Sequence, residues 1–264
     1  YYEKPTNVDY WIFTDSDGTK RAMLPFKIAK MKMYSYPARI IHFLQDWSYS
    51  RMLTCANVIK RPDNTNRTIP LSYVTHFANL HDFIKTKDNA HLITHFNLFT
   101  GWYRECSIIL HTTDVDYFIR SEEFSPKILA ALQDRRSPYR LFRIYGLPED
   151  SYELAVKVKN VSPEVNIDLF SMYTSATESW MGGLAWYSRQ KYKWKYPRLT
   201  EFCTGDMLGH LIYIPCNVEE MLKVEYGNWK RDSPSNNYIW YKSSKNVSPN
   251  GKFTNDDLNK MNMG

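Results

Sequence analysis

The sequence predicts an α/β (α+β) architecture: a mixed β-sheet flanked by helices, preceded by an N-terminal accessory segment. Three observations carry this expectation. The chain has 264 residues, enough for one large domain or one domain with a sizeable accessory piece. Strand-like and helix-like patterns alternate between His91 and Gln133, as in a sheet covered by helices. Three consecutive strand-like runs then follow, separated by turn residues, which reads as a meander.

Taken in order, residues 1–60 read as an irregular segment. It has short strands at Tyr10–Thr14 and Arg21–Pro25, and apolar pieces at Ala38–Leu44 and Tyr49–Val58. Arg61–Pro70 is polar, has two prolines and reads as a loop. Apolar residues at Val74, Phe77, Leu80 and Phe83 place one helical face on Ser72–Ile84. His91–Phe96 reads as a buried strand, Phe99–Cys106 as a short helix and Asp114–Ile119 as a second strand. In Ser125–Gln133 a helix is capped by Ser125, with Pro126 at its first position. Arg140–Tyr145, Tyr152–Lys159 and Val165–Tyr173 are the meander. Asn217–Tyr226 reads as a helix with Asn217 as its N-cap, Glu219 and Glu220 in its first turn, and Gly227 as its stop. Arg231–Gly251, rich in Ser, Asn and Pro, reads as a long loop or lid, and Asn255–Met263 as a last short helix. The division expected is 1–88 for the accessory segment and 89–264 for the main domain.

Composition removes several function classes. With 16% aromatic residues the chain is globular. It has no apolar run of roughly 18 residues to span a bilayer and no visible signal peptide. The chain starts at Tyr1 without Met, so a trimmed form with a membrane anchor outside it is one reading. The net charge of +6 favours anionic ligands, but without a basic stripe no nucleic acid partner is expected. No phosphate-binding glycine loop, dinucleotide motif or Ser-His-Asp arrangement is present. Cys55, Cys106, Cys203 and Cys216 form no C-x-x-C pair. A Cys203–Cys216 disulfide and buried free thiols are both compatible with the spacing. Of the N-x-S/T sequons at Asn66, Asn160 and Asn246, the last two are followed by Ser-Pro, leaving Asn66 as the better acceptor in a secretory setting.

The chemistry concentrates on Asp114 and Asp116. Positions i and i+2 of a strand face the same way, about 6–7 Å apart. Two carboxylates so placed repel unless a cation or an Arg stands between them, and hard divalent cations prefer carboxylate oxygen. Asp168 lies inside the apolar run VNIDLFSMY, where an acid is costly unless it is paired or binds metal. The competing structural readings are a solvated strand end for the pair and an Arg-paired buried acid for Asp168.

The run Asn97–Ile119 (NLFTGWYRECSIILHTTDVDYFI) resembles the LicD/fukutin family motif, approximately G-T-x-L-G-x-x-R, a spacer, I-P, then a D-x-D strand. The matches are Gly101, Arg104, Ile109, Asp114 and Asp116. Asn166–Tyr173 looks like the family's later I-D-hydrophobic strand, and Tyr226–Pro234 like its YG-x-x-W-K ending. The likeness covers about residues 90–251, and the preceding ninety residues resemble the equivalent animal regions only loosely.

The resemblance implies a nucleotidyltransferase fold and a metal-dependent transfer of a phospho-alcohol, such as ribitol phosphate or phosphocholine, from a CDP-activated donor to a glycan acceptor. By it, Asp114, Asp116 and Asp168 are the catalytic, metal-binding residues, for Mg2+ or Mn2+. Arg104 lies near phosphate, and the implied setting is the secretory pathway, Golgi or ER lumen. Two departures stand out. Asn97 and Leu98 occupy the Gly-Thr positions, and Leu110 stands where Pro is expected. They keep open a catalytically inactive homologue that binds a glycan or a partner. A conventional nucleotide-sugar glycosyltransferase, which also uses D-x-D, is a further alternative.

Other substrate-binding candidates are Asn97, Gly101, His111, Lys193 and Arg231. In Arg189–Arg198, strand alternation puts Lys191, Lys193 and Lys195 on one face and Tyr192, Trp194 and Tyr196 on the other. The basic face is a candidate guide for an anionic ligand and the aromatic face a candidate stacking platform. A plain amphipathic strand is the bland alternative.

Overall fold

The computed structural model describes residues 2–3, 5–62, 64–232 and 238–261. The N-terminal part is more regular than its sequence suggests. Strands β1 (Tyr2–Glu3), β2 (Trp11–Thr14) and β3 (Lys20–Met23) form a small antiparallel sheet. A hairpin of β4 (Ile28–Met31) and β5 (Tyr34–Pro37) leads into helix α1 (Ile40–Tyr49). The sequence pattern marks only an apolar piece at Ala38–Leu44 and another starting at Tyr49, and no helix between them. β-Branched Ile40 and Ile41 and the absence of a capping side chain hide the helix. Tertiary packing overrides them: Phe43 and Trp47 stack with ring centroids 5.8 Å apart, Phe43 meets Phe26 at 4.9 Å, and Trp47 meets Phe13 at 5.8 Å.

Helix α2 (Val74–Asp88) follows and ends on left-handed Asn89. Then come β6 (Ile93–His95), α3 (Phe96–Glu105), β7 (Asp114–Arg120) and α4 (Pro126–Gln133). Ser125 caps α4, accepting from the Lys127 N–H at 3.2 Å, with Pro126 in the first turn. The meander is β8 (Tyr139–Leu147), β9 (Asp150–Val158) and β10 (Asn166–Thr174). A second antiparallel run comprises β11 (Glu178–Ala185), β12 (Gln190–Pro197), β13 (Phe202–Met207) and β14 (His210–Pro215).

Helix α5 (Val218–Tyr226) has Glu219 and Glu220 in its first turn and stops at Gly227. Its expected cap fails: the Asn217 amide donates to Glu220 Oε2 at 2.8 Å instead of capping the backbone. The expected loop at 231–251 contains a short helix, α6 (Trp240–Ser243), and an edge strand, β15 (Val247–Lys252), with residues 233–237 outside the described set. β15 carries almost no apolar side chain. It exists because its backbone pairs with β12, and its Pro249 is tolerated at a sheet edge. Helix α7 (Asn255–Met261) closes the described chain.

The fold is a mixed α/β arrangement around a ten-stranded sheet with the order β13-β14-β6-β7-β10-β11-β12-β15, and with β9 and β8 continuing from β10. β7 and β10 are parallel neighbours, while β6 runs antiparallel to β7. Both faces of this centre are covered, so β7 and β10 read as nearly continuous apolar runs. Val115, Phe118, Ile119, Ile167 and Leu169 are fully buried there. Tyr10, Ala22 and Tyr49 of the N-terminal part join the same core, where Tyr49 meets Phe202 edge-on at 5.1 Å.

All four cysteines are oxidised, as Cys55–Cys106 and Cys203–Cys216. The first bond ties the N-terminal segment to the end of α3. Trp102 is fully buried and its indole donates to the Asp206 carbonyl at 2.8 Å. Among the described residues, no helix is long and apolar enough to cross a membrane.

Candidate active site

The centre of the sheet brings three carboxylates together. The parallel register sets Asp116 opposite Asp168 and Asp114 opposite Asn166. Strand alternation puts Asp114, Asp116 and Asp168 on one face. One oxygen from each lies within 4.8 Å of the others.

Helix α3 begins at this point. Its first residue, Phe96, takes the left-handed conformation (φ 40), which turns the chain sharply from β6 into the helix. The following N–H of Asn97 donates to the Asp116 carboxylate, as helix N-termini do to anions. The Asn97 side-chain amide donates to Asp114 Oδ1 at 3.3 Å, and the Thr112 hydroxyl donates to the same oxygen at 3.2 Å. Thus the left-handed residue is Phe96, whereas Asn97 contributes donors.

These neutral donors do not balance the charge. Among the described residues, Asp114, Asp116 and Asp168 make no ion pair, so the Arg-paired reading of Asp168 fails. Burial raises the Asp116 carboxyl well above the usual range, and the Asp114 and Asp168 charges raise it further. Burial, with the Asp114 charge, pushes Asp168 up to about 7. Glu153 on β9 is raised by burial and by Asp168. Asp116 Oδ2 is buried without a hydrogen-bond partner. An orphaned buried oxygen within a cluster of hard oxygen donors is the arrangement a small divalent cation satisfies. The residues present therefore fit such an ion.

The carboxylates open into a cleft of about 710 Å³. One wall is aromatic. Trp194 and Trp240 lie 5.5 Å apart, and a Cβ on Gly183 would come 2.8 Å from the Trp194 ring, so glycine there makes room for the indole. Trp194 Nε1 has no hydrogen-bond partner. Exposed Arg231 and Lys245 bring positive charge to the rim. On the same side of the sheet, Glu225 is fully buried, its carboxyl is pushed up to about 8 by burial, and its charge adds to the rise at Asp116. It accepts from Tyr196 Oη at 3.0 Å, and that hydroxyl is 2.9 Å from His95 Nε2.

No family model matches the chain. Two uncharacterised proteins of Caenorhabditis elegans do. One is 33% identical over 270 residues, covering 97% of this chain and 69% of its own. The other is 31% identical over 267 residues, covering 98% and 67%. Ribitol-5-phosphate transferase FKTN (fukutin) of Mus musculus is 34% identical over 152 residues, which cover 57% of this chain and 31% of the mouse protein. The chain belongs to the fukutin/LicD-like family. The two disulfides and the fukutin relationship are consistent with a secretory-pathway protein.

In this fukutin-like chain the residues singled out from sequence fall into two groups. Asp114, Asp116, Asp168, Asn97, Arg104, His111 and Arg231 all line the cleft. Gly101 and Lys193 do not. Gly101 lies under the wall, where a Cβ would meet the Ser107 carbonyl at 2.6 Å and the Ile109 nitrogen at 3.0 Å. Lys193 donates to Glu178 Oε1 at 3.1 Å and lies 4.1 Å over the Trp180 ring. Lys191 and Lys195 are also paired, with Asp150 and Glu178. Each lysine on the basic face of β12 is therefore paired, Lys193 and Lys195 sharing Glu178, while its aromatic face reaches the cleft through Trp194. Arg104 is buried and bonded to Glu105 and to Asp232, the latter at 3.1 Å, and Arg61 joins the same two acids.

Sequence reasoning missed Glu153, Arg61, Asp232 and Lys245. For Glu153 the signal was available, since YELAV carries an acid in an apolar strand just as Asp168 does. Arg61 sits in a polar loop distant in sequence, and nothing local marks it.

Proposed function

We propose that this chain is a metal-dependent transferase that moves a phospho-alditol, such as ribitol phosphate, from a CDP-activated donor onto a glycan in the secretory pathway. The observation that carries this reading is the acidic triad: three buried or half-buried carboxylates, without a counter-cation among the described residues, at the end of a cleft with exposed cations on its rim. The fukutin relationship supplies the substrate class. We also read the ten-stranded sheet as a nucleotidyltransferase-type scaffold spanning 89–264, with 1–88 as an accessory segment.

In this mechanism Asp114, Asp116 and Asp168 would hold Mg2+ or Mn2+. Such a cation would neutralise charge on the donor's phosphates and make the transferred phosphorus more electrophilic. Asn97 orients Asp114 and Asp116 through its two donors. Arg231 and Lys245 attract the diphosphate to the cleft. Arg104, tied to Asp232, fixes the wall that carries Arg231; its guanidinium donates to the Arg231 carbonyl at 3.1 Å. Trp194 and Trp240 give a flat apolar surface for a base or sugar ring. The acceptor hydroxyl forms a new O–P bond, the bond between that phosphorus and CMP breaks, and the hydroxyl proton passes to a basic group of the cleft.

The test is Mn2+-dependent binding of CDP, CMP, UDP and GDP to the intact chain and to D114A/D116A, followed by CMP release from a CDP-alditol. Metal-dependent cytidine nucleotide binding that the double variant loses is the expected result. A preference for UDP or GDP moves the chain to the nucleotide-sugar glycosyltransferases. No nucleotide binding at millimolar Mn2+ overturns catalysis and leaves a glycan-binding or partner-binding role.

A further inference from the structure

We propose that the β4–β5 hairpin and the outward side of α1 form a peripheral docking surface for a lipid bilayer that carries anionic headgroups. Exposed large apolar side chains are concentrated here. Ile28, Met31, Met33, Tyr34, Tyr36, Ile40, Ile41 and Leu44 all face solvent within seventeen consecutive residues. Met33 at the hairpin tip is 91% exposed, Ile41 77% and Tyr34 72%. A concentration of exposed apolar side chains of this kind on a folded protein marks an interaction site.

The exposure does not arise from a poorly packed segment. Phe26, Phe43, Trp47 and Phe13 form a chain of ring contacts between 4.9 and 5.8 Å that anchors α1 and the base of the hairpin to the β2–β3 sheet. With those aromatics turned inward, Ile41, Leu44 and Ile40 are left facing out. On the hairpin, the pairs Met31–Tyr34 and Ala29–Tyr36 share one face, which is therefore apolar and aromatic. Its two-residue turn, Lys32–Met33, places Lys32 in the left-handed region (φ 54) and presents Met33 at the apex.

Charge identifies the occupant. Between residues 18 and 45 the chain has no Asp or Glu, but carries Lys20, Arg21, Lys27, Lys30, Lys32 and Arg39. Among the described residues, Lys27, Lys30, Lys32 and Arg39 make no ion pair with an acid. Aliphatic tips, two tyrosines and unpaired lysines with long apolar stems are the composition that inserts shallowly at a bilayer surface while the ammonium groups reach headgroup phosphates. The core of a protein–protein interface is instead depleted in lysine. The surface lies on α1 and the hairpin and shares no residue with the cleft.

The test is co-sedimentation of the intact chain with phosphatidylcholine vesicles, with and without phosphatidylserine, at low and high salt. Binding to the phosphatidylserine vesicles that weakens with salt is expected. The double variant M33D/I41D is expected to lose roughly tenfold or more of that binding. Its unfolding midpoint and far-ultraviolet circular dichroism should match the parent, because both side chains are exposed. K27Q/K30Q/K32Q should lose the preference for anionic vesicles. The proposal is overturned by no vesicle binding, by equal binding to neutral and anionic vesicles, or by binding unchanged in M33D/I41D. It is equally overturned if the chain forms a dimer that M33D/I41D dissociates and vesicles bind neither form, because the occupant is then a second copy.

Discussion

Asp168 stands directly opposite Asp116 on the neighbouring parallel strand, so two acids from distant parts of the sequence share one face of the sheet. Without a cation this arrangement costs free energy, since like charges and burial act in the same direction. Millimolar Mn2+ should therefore raise the unfolding midpoint by about 5 °C or more. In D116N the Mn2+ effect should disappear, while the metal-free midpoint rises, because an acid that burial and its neighbours disfavour in the charged form has been replaced by a neutral amide. Differential scanning calorimetry with and without Mn2+ reads both, and an equal Mn2+ response in parent and variant would exclude the triad as the binding site.

Glu225, whose charge is felt at Asp116, adds a pH dependence of its own. Its ordinary carboxyl value is 4.5, and burial pushes it up to about 8. Below 4.5 both folded and unfolded states carry the proton. Between there and about 8 the unfolded chain has lost it and the native chain has not, so stability falls as pH rises, by at most about 1.4 kcal/mol per unit, and levels off above. Urea unfolding from pH 5 to 9 should show this decline, and E225Q should make it shallower, with the raised carboxyls of Asp116, Glu153 and Asp168 keeping part of the slope. An identical slope in E225Q contradicts the assignment.

Gly101 is required by close approach, not by an unusual backbone angle. The Cβ of alanine would press on the Ser107 carbonyl at 2.6 Å, a backbone atom that cannot turn aside. G101A should cost about 1–3 kcal/mol through overpacking. A chemical-denaturation midpoint equal to that of the parent would show that the 107–109 turn yields freely.

Arg104 and Glu105 are both buried, with Arg61 and Asp232 completing the network. R104A leaves Glu105 with Arg61 as its remaining cation and is expected to cost about 3 kcal/mol. R104K restores the charge without the fork of donors and should recover only part of the loss. Full stability in R104K would mean that the paired geometry is unimportant.

The two disulfides close loops of different size, with sequence separations of 51 and 13. Loop-closure entropy gives about 4 kcal/mol for Cys55–Cys106 and about 3 kcal/mol for Cys203–Cys216. C55S/C106S should consequently lower the denaturation midpoint more than C203S/C216S does. The reverse order would show that the N-terminal segment stays associated without its covalent tie.

The sequence by itself determined the alternation of elements from β6 to β10, the cap of α4 and the stop of α5. Each rests on local rules: strand alternation at Asp114–Ile119, Ser125 before Pro126, and Gly227 after the last turn. It also marked the acids, because Asp168 inside an apolar run is anomalous whatever the fold. It could not determine α1, whose β-branched start argues for a strand and whose helix depends on Phe26 and Phe13 packing from outside. β15 was equally hidden, since its polar residues are held by β12 backbone groups that no local pattern encodes. Only the tertiary structure decided that Asp168 faces Asp116 in register, that Lys193 is spent on Glu178 and Trp180, and that Arg61 joins Arg104. These relations depend on strand pairing and loop closure between residues far apart in sequence, and local physics gives such pairs no signature before the chain folds.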